Sequence, residues 1–161
     1  MRTMASAISS TVMVGLAVGL VCGAEAPPVF PENDRIFSDL ESILPSSGPV
    51  LLVFFSIECA VCWDDLFEMS YFCAKNDLDI PVAGIAAAGG EALHDFLGKF
   101  GSRLPVVADP RRRIFRRYNV LMDPFKIVLV DGRVVYRDDP YRSFFERREA
   151  AKQCLKTIAS R

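Results

Sequence analysis

An unbroken apolar run that leads into two closely spaced cysteines constrains this chain more than any other feature. Val50-Leu51-Leu52-Val53-Phe54-Phe55 is rich in strand formers and is bounded by Pro49 and Ser56, the pattern of a central strand covered on both faces. Directly after it, Cys62, Leu66, Met69 and Cys73 recur at helical spacing and predict a helix from about Ala60 to Lys75 with one apolar stripe. A strand buried on both sides needs helices above and below it, so the chain points to a layered α/β fold.

The remaining segments fit that plan. Asn33 or Asp34 is expected to cap a first helix carrying Ile36, Phe37, Leu40, Ile43 and Leu44, stopped by Pro45 and Pro49. Ile80 to Ala86 predicts a second strand. Gly89 and Gly90 open a helix with Leu93, Phe96, Leu97 and Phe100 inward, and Gly101 closes it. Leu104 to Ala108 predicts a short strand, followed by a helix capped by Asp109 with Pro110 at its first position. Lys126 to Val130 and Arg133 to Arg137 flank Asp131-Gly132, a strong hairpin signal. Ser143 and Glu146 form a capping box for a last helix with Phe144, Ala151, Cys154, Leu155 and Ile158 inward. The expected order is α, β, α, β, α, β, α, β, β, α.

Cys59-Ala60-Val61-Cys62 falls at the junction between the central strand and its helix, and that placement supplies the physics of thiol exchange. A sulfur at the cap position meets the free N–H groups and positive end of the helix, which favour its thiolate form, so Cys59 is the expected nucleophile. Cys62, one turn on and inward, is placed to resolve a mixed disulfide formed on Cys59. The plainer readings are a structural disulfide or half of a zinc site. No second cysteine pair accompanies this one, so no metal and no cofactor are expected. Cys73 and Cys154 are read as buried core cysteines, and His94 as a surface histidine at the border of an amphipathic helix.

Here the chain resembles the thioredoxin superfamily, within it the exported TlpA/ResA-like branch of thiol-disulfide oxidoreductases. The resemblance covers roughly Asp34 to Ile158. It is carried by the strand and cysteine pair already described, the insert Gly90 to Gly101, Leu104-Pro105-Val106-Val107-Ala108-Asp109-Pro110, and Tyr118-Asn119-Val120 followed by Pro124 and Ile127-Val128-Leu129-Val130-Asp131-Gly132. It implies a thioredoxin fold, a central mixed sheet flanked by helices on both faces. It also implies that Pro124 is a cis-proline beside the cysteines which, with Asp123, helps to bind a partner's extended backbone.

The chain departs from the family's usual pattern at several positions: Glu58 stands in place of Trp, Val61 in place of Pro, and Asp123 in place of a small or β-branched residue. Val53 occupies the strand position at which thioredoxins keep a buried acid, which leaves Asp123 or Glu58 as candidates for proton transfer. Glu58, Asp64, Asp65 and Asp123 are expected to surround the pair and to offset much of the helix-end effect on Cys59, favouring a reductant over a strong oxidant.

Residues 1–24 form a targeting segment: Arg2 precedes an uncharged stretch whose apolar heart spans Val12 to Cys22 and ends in small residues. That heart, about eleven residues, is short for a membrane span of about twenty, so a cleaved signal is favoured over an uncleaved anchor. Residues 25–33 are expected to form a Pro-rich linker, and the resemblance implies a single thioredoxin-like domain over 34–161. Export would place the chain in a periplasmic or other extracytoplasmic compartment, where disulfides persist.

The chain of 161 residues is 51% hydrophobic and 24% charged, enough to bury a core without staples. Loss of Arg2 with the leader takes the 19 basic residues to 18 against 20 acidic ones, a charge of −2, which argues against nucleic acid. Arg111, Arg112, Arg113, Arg116 and Arg117 are read as the solvated face of a short helix, the alternative being an acidic partner or anionic lipid.

The expected partner is a protein disulfide or dithiol, with a membrane thiol reductase as candidate electron donor, cytochrome c biogenesis as candidate duty, and a monomeric state. Two other classes compete. One is a thiol peroxidase, since Ser56 stands three residues before Cys59; the other is a non-catalytic adaptor or chaperone.

Overall fold

The computed structural model describes residues 35–160; the leader, the linker and the expected cap residues Asn33 and Asp34 lie outside the described residues. Six strands and four helices follow one another as β1 (Ile36–Phe37), β2 (Pro49–Phe55), α1 (Ala60–Lys75), β3 (Val82–Ala86), α2 (Gly90–Phe100), β4 (Val106–Ala108), α3 (Arg113–Arg117), β5 (Phe125–Val130), β6 (Arg133–Arg137) and α4 (Phe144–Ala159). The strands form a single mixed sheet in the order β1-β4-β3-β2-β5-β6. β2 lies at its heart, parallel to β3 and antiparallel to β5.

Alternation along β2 divides the core. Leu51, Val53 and Phe55 face one layer with Cys62, Leu66 and Met69 of α1, Leu93 and Phe96 of α2, and Ala151 and Leu155 of α4. Val50, Leu52 and Phe54 face the other, with Leu40, Ile43, Phe115 of α3 and Val120. The same-sided placement of α1 and α2 follows from right-handed crossovers, because β2 to β3 and β3 to β4 step across the sheet in one direction. Gly84 in β3 is the tight spot of this packing: a Cβ there would lie 2.8 Å from the Phe55 ring and 3.2 Å from Leu66 and from Val106.

The expected first helix is not formed. Ile36 and Phe37 pair in parallel with Val106 and Val107 at the sheet edge, and the Val106 amide donates to the Arg35 carbonyl. The Asp39 carboxylate then accepts from the Ser42 amide and hydroxyl, closing a turn that carries Leu40 and Ile43 into the core. The apolar residues are buried as their spacing implied, but edge pairing and a carboxylate-stabilised turn displace the helix.

Asp109 caps α3 from farther back than expected. Arg112, at positive φ, is the cap residue, while the Asp109 carboxylate accepts from the amides of Arg113, Ile114 and Phe115. Pro110 therefore precedes the helix. Asp131 and Gly132 both adopt positive φ in the β5–β6 turn, and Ser143 and Glu146 make the reciprocal capping box of α4.

Candidate functional site

Cys59 is the N-cap residue of α1 in extended backbone, and no side chain caps the helix there. Its carbonyl accepts the Cys62 amide at 2.9 Å and the Trp63 amide at 3.4 Å, so the first turn is closed around the sulfur. The first turn carries no acid, leaving the positive helix end to act on Cys59. Cys59 is half-buried and Cys62 fully buried. The two form a disulfide with Cα atoms 5.2 Å apart, within the span a disulfide requires.

The Asp123–Pro124 peptide bond is cis. Because Phe54 pairs with Phe125, Pro124 falls one residue beyond the end of the β2–β5 ladder, at the end of the sheet from which the chain runs on to Cys59. Asp123, immediately before it, is held by Arg112, whose Nη2 lies 3.1 and 3.3 Å from the two carboxylate oxygens. Burial raises the Asp123 carboxyl above its ordinary value, against the opposing pull of Arg112. Glu58 is exposed.

The charges around the pair are arranged differently from the expectation. Asp65 is fully buried between the Lys126 ammonium at 2.6 Å and Arg148 Nε at 2.7 Å. Asp64 bonds Arg148 at 3.1 Å, and Asp123 is taken by Arg112. Three of the four acids thus have cationic partners, and the premise that they jointly oppose the helix end fails for them. Partner cations neutralise most of the field that isolated carboxylates would exert.

Lys126 carries the largest surprise. It is fully buried in β5 directly across from Val53, with Asp65 and Asp138 at 2.6 and 3.0 Å. The layer behind the cysteines therefore holds a buried charge set after all, supplied by α1, β5 and the residue after β6 instead of by β2. Its signals were present as a lysine within the run Phe125-Lys126-Ile127-Val128-Leu129-Val130 and as Asp65, three residues after Cys62 on the same helical stripe. Asp138 accepts the Lys126 amide, and burial drives its carboxyl upward while Lys126 pulls it back. Arg147 of α4 completes the set, donating to the Pro124 carbonyl at 2.9 Å.

Trp63 packs with Phe67, Phe96 and Phe100, its ring centroid 4.6 Å from that of Phe100. Phe100, expected inside, is 46% exposed at the end of this cluster. Cys73 is buried, and burial pushes its thiol up to about 11. Cys154 is only half-buried, because it sits at the margin of the α4 stripe defined by Ala151 and Leu155. The His94 side chain is 84% exposed. No cluster of three or more metal-ligating side chains and no helix long and apolar enough to cross a membrane occurs among the described residues.

No family model matches the chain, and no curated protein matches it. Solved structures do match. An uncharacterized thioredoxin-like protein from Porphyromonas gingivalis is 18% identical, covers 70% of this chain and 76% of its own, and superposes with a TM-score of 0.59. StoA from Bacillus subtilis is 16% identical over 69% of this chain and 84% of its own, with a TM-score of 0.55. A secreted Mycobacterium tuberculosis disulfide oxidoreductase, homologous to DsbE of Escherichia coli, is 20% identical over 69% and 82%, with a TM-score of 0.54. The chain shares with these proteins the thioredoxin-like fold anticipated from its sequence.

Proposed function

We propose that the chain is a thiol-disulfide oxidoreductase that exchanges electrons with protein disulfides through Cys59 and Cys62. The carrying observation is a cysteine pair joined at the N-terminus of α1, with Cys59 half-buried and Cys62 fully buried. In the reductive direction the Cys59 thiolate attacks one sulfur of the partner's disulfide, and the partner's other sulfur leaves as a thiolate. The Cys62 thiolate then attacks Cys59, releasing the partner's second thiolate and closing the Cys59–Cys62 bond. Two electrons pass to the partner, and two protons follow them onto its thiols. Asp123 and Pro124 are assigned to the partner's backbone.

The reading extends to an extracytoplasmic setting, supported by the apolar leader and by the secreted relative of the same fold. An oxidising compartment supplies the disulfides on which such a protein works. Reduction of insulin disulfides by the chain, with dithiothreitol as electron source, tests the activity. Wild-type turnover that is abolished in Cys59→Ser supports it. Equal rates in wild type and variant contradict it.

A further inference from the structure

We propose that Arg147 is a positioning residue for partner binding, setting the Asp123–Pro124 segment through its bond to the Pro124 carbonyl. The inference rests on the disulfide-exchange reading and deepens it. Arg147 lies in the first turn of α4, is 4% exposed, and donates from Nη1 to the Pro124 oxygen at 2.9 Å. Burying a guanidinium forfeits its hydration, so its placement calls for a compensating role. Its carboxylate, Asp138, stands 3.9 Å away, too far for a hydrogen bond, and its Nε has no partner among the described residues. The short contact therefore goes to the proline carbonyl and not to the counter-charge.

That carbonyl needs an outside anchor. The β2–β5 ladder ends at the Phe54–Phe125 pair, and proline has no N–H with which to extend it. Two cations hold the segment instead: Arg112 grips the Asp123 side chain from the α3 side, and Arg147 grips the Pro124 backbone from the α4 side. The Arg147 end is braced in turn. The Tyr136 hydroxyl of β6 lies 2.8 Å from Asp138 Oδ1 and 3.1 Å from the Arg147 carbonyl, sharing its proton between the residue after β6 and α4. Lys126 then links Asp138 to Asp65 on the cysteine-bearing helix. Removing the Arg147 bond frees the segment that receives the partner's chain while leaving both cysteines in place.

The test compares two probes against the fully reduced chain by the release of thionitrobenzoate: 5,5′-dithiobis(2-nitrobenzoate) itself, and a ten-residue peptide whose single cysteine carries the same leaving group. Both probes report sulfur chemistry, and only the peptide reports backbone binding. Arg147→Gln is expected to lower the peptide rate constant about fivefold, the factor for one lost hydrogen bond, with the small-probe rate and the Cys59/Cys62 midpoint potential unchanged. Arg147→Lys should recover part of the loss. Should Arg147→Gln fail to fold, Tyr136→Phe, which loosens the same turn, is expected to lower the peptide rate about twofold. A variant that melts earlier but keeps the wild-type ratio of peptide to small-probe rates overturns the positioning role, as does a wild-type chain that shows no preference for the peptide. A wild-type chain inert toward both probes overturns the exchange reading itself.

Discussion

Replacing Lys126 with Met isolates the electrostatics of the buried charge set, because Met fills the same space without the ammonium. Lys126 is fully buried, with carboxylate oxygens of Asp65 and Asp138 at 2.6 and 3.0 Å. Breaking a buried pair by deleting one partner costs about 3–5 kcal/mol, since the remaining charge is stranded. Arg148 keeps its 2.7 Å bond to Asp65, whereas Arg147 stands 3.9 Å from Asp138. Asp138 is thus the stranded group, which puts the expected loss near the lower end, about 3 kcal/mol out of a total of about 5–15.

Urea unfolding followed by the fluorescence of Trp63, the chain's single tryptophan, should show the midpoint falling by about 2 M. The sign with pH is also set. Burial already raises the Asp138 carboxyl, and loss of the ammonium raises it further. A carboxyl whose folded value lies above its unfolded one opposes folding when ionised, so stability returns as pH falls through the folded value. The deficit of the variant should therefore shrink between neutral pH and about pH 4. A loss below about 1 kcal/mol at neutral pH, or a deficit constant across that range, would refute the reasoning.

Other expectations follow from single contacts. Gly84→Ala should destabilise by about 1–3 kcal/mol in the same urea assay, since its Cβ meets the Phe55 ring at 2.8 Å; a neutral result would mean that the β3–α1 layer yields easily. Ser143→Ala should lose about 1 kcal/mol, because the hydroxyl that accepts from the Glu146 amide disappears while the residue-143 amide still donates to Glu146. Cys73, its thiol pushed up to about 11 by burial, should escape iodoacetamide at mildly alkaline pH in the reduced native chain while Cys59 is alkylated, as read by peptide mass spectrometry. Asp123→Asn should gain stability relative to wild type at neutral pH and lose that advantage in acid, because the folded carboxyl is held above its ordinary value. Its exchange rate should keep the wild-type pH profile, since Arg112 already occupies the carboxylate; a displaced limb would assign proton transfer to Asp123.

Periodicity carried much of this fold because burial patterns leave direct traces. Cys62, Leu66, Met69 and Cys73 are all buried along α1, which begins at Ala60 and ends at Lys75 as their spacing implied. The Asp131-Gly132 turn and the Ser143–Glu146 box were legible because each needs only local chemistry. Ile36 to Leu44 misled because helical spacing also suits an edge strand followed by a turn, and only the distant Val106–Val107 strand decides between them.

The cysteine pair was legible as a site from its place after the central strand. The charge set behind it was not, because Asp65 meets Lys126 only when α1 packs over the β2–β5 ladder, while Asp138 and Arg147 reach the set through the β5–β6 hairpin and the packing of α4. Counting acids near the cysteines therefore overstated the negative field at Cys59: the cations that cancel Asp65 and Asp123 come from β5, α4 and the start of α3.

In the proposed reaction Cys59 and Cys62 cycle between joined and separate forms, with Cys59 the attacking sulfur. Equilibrating the chain across a graded series of glutathione buffers, acid-quenching it and tagging free thiols for mass analysis measures this directly. One two-electron transition is expected, in which Cys59 and Cys62 gain tags together. A brief pulse of tag on the reduced chain should label Cys59 first. A pair that stays joined across the whole series, or a pulse that labels Cys62 ahead of Cys59, would contradict the proposed reaction.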